Sequence, residues 1–128
     1  EYEYDFAVDG GATGALNMGD AARNLAGDLP FGFVVTEAYL TVTTAFTSGG
    51  SATLIIGPTD DTNGYIETIA VAALTANSVH GGTVATQQPV TNDAASADVI
   101  ATIGTAAFTA GKAKLRLVGF VPSDKAGN

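Results

Sequence analysis

The chain has 128 residues, a formal charge of −8 at pH 7, five basic residues against thirteen acidic ones, and no cysteine. That balance argues against binding nucleic acid or an anionic membrane, both of which attract clustered cations, and the missing thiols exclude disulfides, thiolate nucleophiles and cysteine-ligated zinc. The length suits one domain with its own core, and sixteen glycines with few long charged side chains suit a sheet-rich fold with frequent turns.

Tyr2, Tyr4, Phe6 and Val8 alternate with Glu1, Glu3 and Asp5, which predicts a two-faced strand with aromatics inward and carboxylates outward. Asp9, Gly10 and Gly11 supply a turn, and Thr13 to Met18 reads as a second short strand with Leu16 and Met18 facing the core. From Gly19 to Gly32 the pattern stops, and a long connection of this kind wraps a surface or contacts a partner. Val34 to Pro58 is the clearest stretch. Ala38, Leu40, Val42, Thr44 and Phe46 fall on one face of a strand, Thr47 to Ser51 turn the chain, and Leu54 to Ile56 return it.

Thr59 to Gly64 is a polar turn. Ile66, Ile69, Ala70, Ala73 and Leu74 are spaced as on a helix, so Tyr65 to Ala76 reads as a short helix or irregular turn, although β-branched Ile69 and Val71 would also suit a buried strand. Asn77 to Gly82 reads as a loop and Thr83 to Gln87 as a brief edge strand stopped by Pro89. Val99, Ala101 and Ile103 mark another strand. After a Gly104 to Gly111 connection, Ala113, Leu115 and Leu117 point one way while Lys112, Lys114 and Arg116 point the other. Val118 to Val121 suggests burial on both faces or a bulge at Gly119.

Seven or eight strands with at most one short helix make an all-β fold, an antiparallel β-sandwich of jelly-roll type, spanning 1–122 as a single domain with a short polar tail at 123–128. Three of the five cations line the outer face of the last strand, and Glu1, Glu3 and Asp5 line that of the first. Opposite charges would face each other if those two strands were neighbours, and we expect that pairing.

Catalytic chemistry finds little to work with. The lone histidine, His80, lies among glycines, and no nucleophile elbow, phosphate-binding loop or zinc-protease helix is present. Asp60-Asp61-Thr62-Asn63-Gly64 has oxygen ligands before a glycine, yet an EF-hand register would place Thr59 and Ala70 where the first and twelfth ligands belong, so it reads as a capped surface turn. Tyr39 or Tyr65 could offer a sugar-stacking platform, but a single strand tyrosine more often packs across strands. No catalytic residue, metal ligand or cofactor is expected.

Three segments, YDFAVDGGATGAL at 4–16, VTTAFTSGGSATLIIG at 42–57 and FTAGKAKLRLVGF at 108–120, together resemble small β-rich virion structural proteins of tailed bacteriophages and prophages. The resemblance implies a capsid decoration or cement protein, a jelly-roll on the outer surface of the virion that reinforces joints between major capsid proteins, commonly as a homo-oligomer, trimer or dimer. It offers no catalytic residues to carry over. The docking element expected from the residues is the irregular Gly19 to Gly32 stretch, with Leu25, Leu29, Pro30 and Phe31; the bland reading is that Leu29 and Phe31 plug one end of the sandwich. A carbohydrate- or receptor-binding head of a tail fibre or adhesin is the alternative function, since jelly-rolls serve both uses.

Overall fold

The computed structural model describes residues 1–19, 27–87, 89–90 and 97–122. Its strands are β1 (Tyr2–Asp5), β2 (Gly14–Asn17), β3 (Val34–Ser48), β4 (Thr53–Gly57), β5 (Ile66–Ala70), β6 (Val79–Thr83), β7 (Ile100–Gly104) and β8 (Phe108–Phe120). They form two four-stranded sheets, ordered β1-β8-β3-β6 and β2-β7-β4-β5. All pairings are antiparallel. Each of the first four strands pairs with its mirror image in the last four, as if one long hairpin had been rolled up, and that is the jelly-roll order. The fold is an all-β sandwich, as expected.

The two sheets close over one apolar cluster that includes Leu40, Val42, Ala113 and Leu115 from one side and Leu54, Ile56, Ile66, Ala101 and Ile103 from the other. Tyr4, Phe46 and Phe108 meet inside it, with ring centroids 5.4 Å apart for Tyr4–Phe46 and 4.8 Å for Phe46–Phe108. The short aromatic strand at the start of the chain is thereby fastened to both long strands.

β1 and β8 are neighbours, with Glu3 opposite Lys114 and Asp5 opposite Lys112. The Lys112 ammonium lies 3.1 Å from the Asp5 carboxylate and 3.6 Å from Glu3. The expected pairing of first and last strands is therefore present, and one lysine serves two carboxylates.

Several local expectations need correction. The first strand stops at Asp5, because the Asp5 carboxylate accepts from the Ala7 N–H while Asp9 reaches back to the Asp5 N–H, and this reciprocal cap starts one helical turn, α1 (Phe6–Asp9). Val8 consequently faces solvent and Phe6 is only partly buried. Within Tyr65 to Ala76, Ile66–Ala70 is extended strand. β5 pairs with β4, and only Val71–Ala73 coils, as a 3₁₀ turn that delivers fully buried Leu74.

The expected loop at Asn77 to Gly82 is largely strand β6, while Thr83 to Gln87, expected as strand, leaves the sheet after Thr83. Gly81 sits at φ 110°, and a Cβ there would lie 2.1 Å from the Ala38 carbonyl oxygen, so a glycine is what lets this edge approach β3. Phe108 to Gly111, expected as connection, already belongs to β8.

At the far end of β8 the outward residues Val118 and Phe120 are exposed, so the strand is not buried on both faces. The register irregularity there falls on β3, where Val35 and Glu37 oppose Gly119 and Val118 and Thr36 is the extra residue. A second irregularity at Thr43 puts Thr44 in solvent, against the alternation. At both points a threonine hydroxyl, Thr36 and then Thr43, donates to a β8 carbonyl at 3.1 Å.

Candidate functional site

The docking element expected from the sequence is in part a rim loop at 27–33. Leu29 donates its N–H to the Ala97 carbonyl, Gly32 donates to Val90, Val90 donates back to Phe33, and the Tyr2 hydroxyl donates to the Gly27 carbonyl at 2.8 Å. Phe33 N–H also donates to the Pro30 carbonyl, closing a β-turn whose third residue, Gly32, has φ 82°. That is a type II arrangement, which needs glycine at the third place and thrusts the second residue outward. The second residue is Phe31, 52 % exposed.

The named residues therefore divide. Leu29 is partly buried and packs against the core, Pro30 and Phe31 lie on the surface, and Leu25 falls outside the described residues. The end-plug reading holds for Leu29 and fails for Phe31. A large ring held outward by a turn anchored on several hydrogen bonds has little conformational freedom left to lose.

A second surface was not singled out from the sequence. The outer face of the sheet β1-β8-β3-β6 carries Lys112, Lys114 and Arg116 in a row along β8, and beside them Tyr39 and Thr41 of β3 and exposed Val79 of β6. The Tyr39 hydroxyl donates to the Glu37 carboxylate at 3.2 Å, and this bond to the ionised acid raises the Tyr39 pKa. Asp5 is held below the ordinary carboxylate range first by the Ala7 N–H and then by Lys112, whose own pKa rises in return. Alternation signalled the charged row. The exposed apolar residues were hidden because Val79 was read as loop and Val118 to Val121 as buried on both faces or bulged at Gly119.

His80, half-buried on β6, has its Nε2 2.9 Å from the Ser78 hydroxyl, but that hydroxyl donates its single proton to the Thr75 carbonyl at 2.7 Å. Nε2 must then donate to Ser78, the reverse of a base activating a nucleophile. His80 also lines an open groove with Tyr65, Glu67 and Ile69 between β5 and β6.

The Asp60 to Gly64 segment is a turn in which Gly64 N–H donates to the Asp61 carbonyl and the Asn63 amide donates to Glu67. Among the described residues no three His, Asp or Glu side chains converge as a metal-ligand set. Tyr65 is partly buried, and desolvation, with Tyr2, Asp60 and Asp61 nearby, raises its pKa well above the usual tyrosine value. The Tyr39 hydroxyl is engaged with Glu37, and Tyr65 is partly buried.

No family model matches the sequence, and no curated protein matches it. Among solved structures, the fold is similar to that of a chain in the cyanophage Pam1 capsid asymmetric unit, with a TM-score of 0.65 and 20 % identity over 94 % of this chain and 81 % of that one. At that identity the likeness is one of fold.

Proposed function

We propose that the protein is a non-enzymatic structural component of a bacteriophage virion, a decoration or cement protein that binds the outside of the capsid and stabilises contacts between major capsid proteins. The observation that carries this reading is the shared fold with a chain of a cyanophage capsid over 94 % of the length. Two further features support it. The sandwich is closed over a continuous core, and among the described residues its surface depressions are open rather than enclosed. Its rim loop holds Phe31 outward in a fixed turn, the kind of aromatic anchor that concentrates binding energy at an interface.

The test separates the two rim residues. Phe31→Ala should leave stability within about 0.5 kcal/mol of the parent, as at exposed sites, and should abolish copurification of the protein with capsids at fixed stoichiometry. Leu29→Ala should lower stability by about 1–2 kcal/mol, since a wholly buried leucine contributes about 1.5–3. Capsid binding that survives the loss of the Phe31 ring would refute the rim loop as the docking element. Specific glycan binding without capsid association would instead favour an adhesin head.

A further inference from the structure

We propose that the groove between β5 and β6 is a docking site for an extended, lysine- or arginine-bearing segment of another protein, which adds to the open edge of β5 as a fifth strand. β5 and β6 are the outermost strands of the two sheets, and they stand side by side along the groove. Each is bonded to its sheet on one side only, to β4 and to β3. Among the described residues no backbone hydrogen bond joins one edge to the other. The Val71 N–H donates to the Ala52 carbonyl at the head of β4, so by the alternation of a ladder the Ala70 N–H points the opposite way, out of the edge. Exposed edges are commonly guarded by lysine or proline. Neither β5, IETIA, nor β6, VHGGT, contains one.

The groove has room and a floor for a guest strand. One wall carries Tyr65, Glu67 and Ile69; the other carries His80 and then Gly81 and Gly82, which have no side chains to fill the space. Tyr65 and Ile69 are partly buried against the core, so the floor is apolar. Backbone groups aimed outward over an apolar floor select an extended polypeptide, because only another strand meets amide donors and acceptors at a period of two.

Charge decides what that strand carries. Glu67 lines the groove and, with Asp61, the depression that continues from it past Tyr65. Glu67 accepts from the neutral Asn63 amide, which leaves its charge uncompensated. Asp60 and Asp61 are near enough to Tyr65 to add to the rise in its pKa that burial causes. No lysine or arginine lines either depression, and the described cations, Lys112, Lys114 and Arg116, all lie on β8 in the other sheet. The outer face of that other sheet mixes acids with bases, whereas the groove carries one sign. A basic strand is drawn to it, and an acidic one is repelled both by Glu67 and by a molecule at −8.

The probe is a peptide of alternating lysine and valine, about eight residues long to match an ordinary strand, titrated calorimetrically into the full chain. Circular dichroism confirms that each variant is folded. The parent should bind this peptide with micromolar affinity that falls as salt is raised, and should bind a glutamate-valine peptide at least about tenfold more weakly. Ala70 has φ −73°, an angle proline adopts, so Ala70→Pro should fold, remove an edge donor and weaken binding about tenfold or more. Glu67→Lys should weaken it similarly and admit the glutamate-valine peptide instead.

No binding of the lysine-valine peptide overturns the proposal, and so does equal binding of the two peptides. Binding indifferent to Ala70→Pro overturns it as well, since that is the behaviour of a polycation attracted to any acidic protein. A parent that self-associates by light scattering, and ceases to do so in Ala70→Pro, would assign the edge to a second copy and overturn it too. Because these readings need no capsid, their failure leaves the capsid-binding test of Phe31 standing, and failure of that test leaves these.

Discussion

Tyr2 and Tyr4 leave the same side of β1, and each solves differently the problem of burying a phenol. The Tyr4 ring stacks on Phe46 and its hydroxyl donates to the Gly10 carbonyl at 2.6 Å, whereas the Tyr2 hydroxyl reaches the rim loop at Gly27. Burial, with a smaller contribution from Asp28, pushes the Tyr2 hydroxyl up to about 12, and Tyr65 is raised for the same leading reason. In the unfolded chain tyrosines ionise near 10. The folded state thus retains protons that the open chain gives up, so stability is whole below about pH 10 and falls as pH climbs through 10 towards 12. A melting temperature that is level from neutrality to about pH 9.5 and then declines would show this, with Tyr2→Phe removing part of the decline; a rise in stability above pH 10 would contradict it.

Elements were legible where side chains alternate and obscure where glycine or small residues carry the strand. β1, β3, β4, β7 and β8 could be read because Tyr2 and Tyr4, Leu40 and Val42, or Ala113 and Leu115 return every second residue to the core. β6 could not, since its residues His80-Gly81-Gly82 carry no alternation, and the glycines that signal a turn were serving a close approach to Ala38. Gly81→Ala should therefore destabilise the protein by about 2–4 kcal/mol, because the added methyl both strains a positive φ and meets a carbonyl, and urea unfolding would measure it. β5 was read as a short helix or irregular turn because Ile66, Ile69 and Ala70 satisfy both periods over so short a span. Of the candidate site, Phe31 could be named from the sequence, but its separation from Leu29 depends on a turn type that composition leaves open.

For the whole molecule, the rolled-hairpin order means that most pairings join residues far apart in sequence: β1 with β8, β2 with β7, β3 with β8. Loop closure must precede these contacts, so folding is expected on a time scale of about 10 ms to 1 s, typical of sandwiches with non-local pairing. Stopped-flow refolding in dilute urea would measure it, and a sub-millisecond rate would contradict the topology. The same order explains why charge on two distant segments foretold a contact. Glu3 and Asp5 could be matched with Lys112 only if the hairpin closed on itself, which alternation within each strand does not reveal.

That closure also decides how the molecule would respond to pulling. Tyr2 is paired with Leu115 and β1 runs antiparallel to β8, so the outset of the first strand and the finish of the last leave the sheet at the same end. Tension applied to those two points would peel the seam open one rung at a time, the weakest way to load a ladder, whereas a push or drag spread over a broad side engages every rung together. A molecule built on this plan is mechanically suited to being clasped across its flanks, and ill suited to serving as a tether.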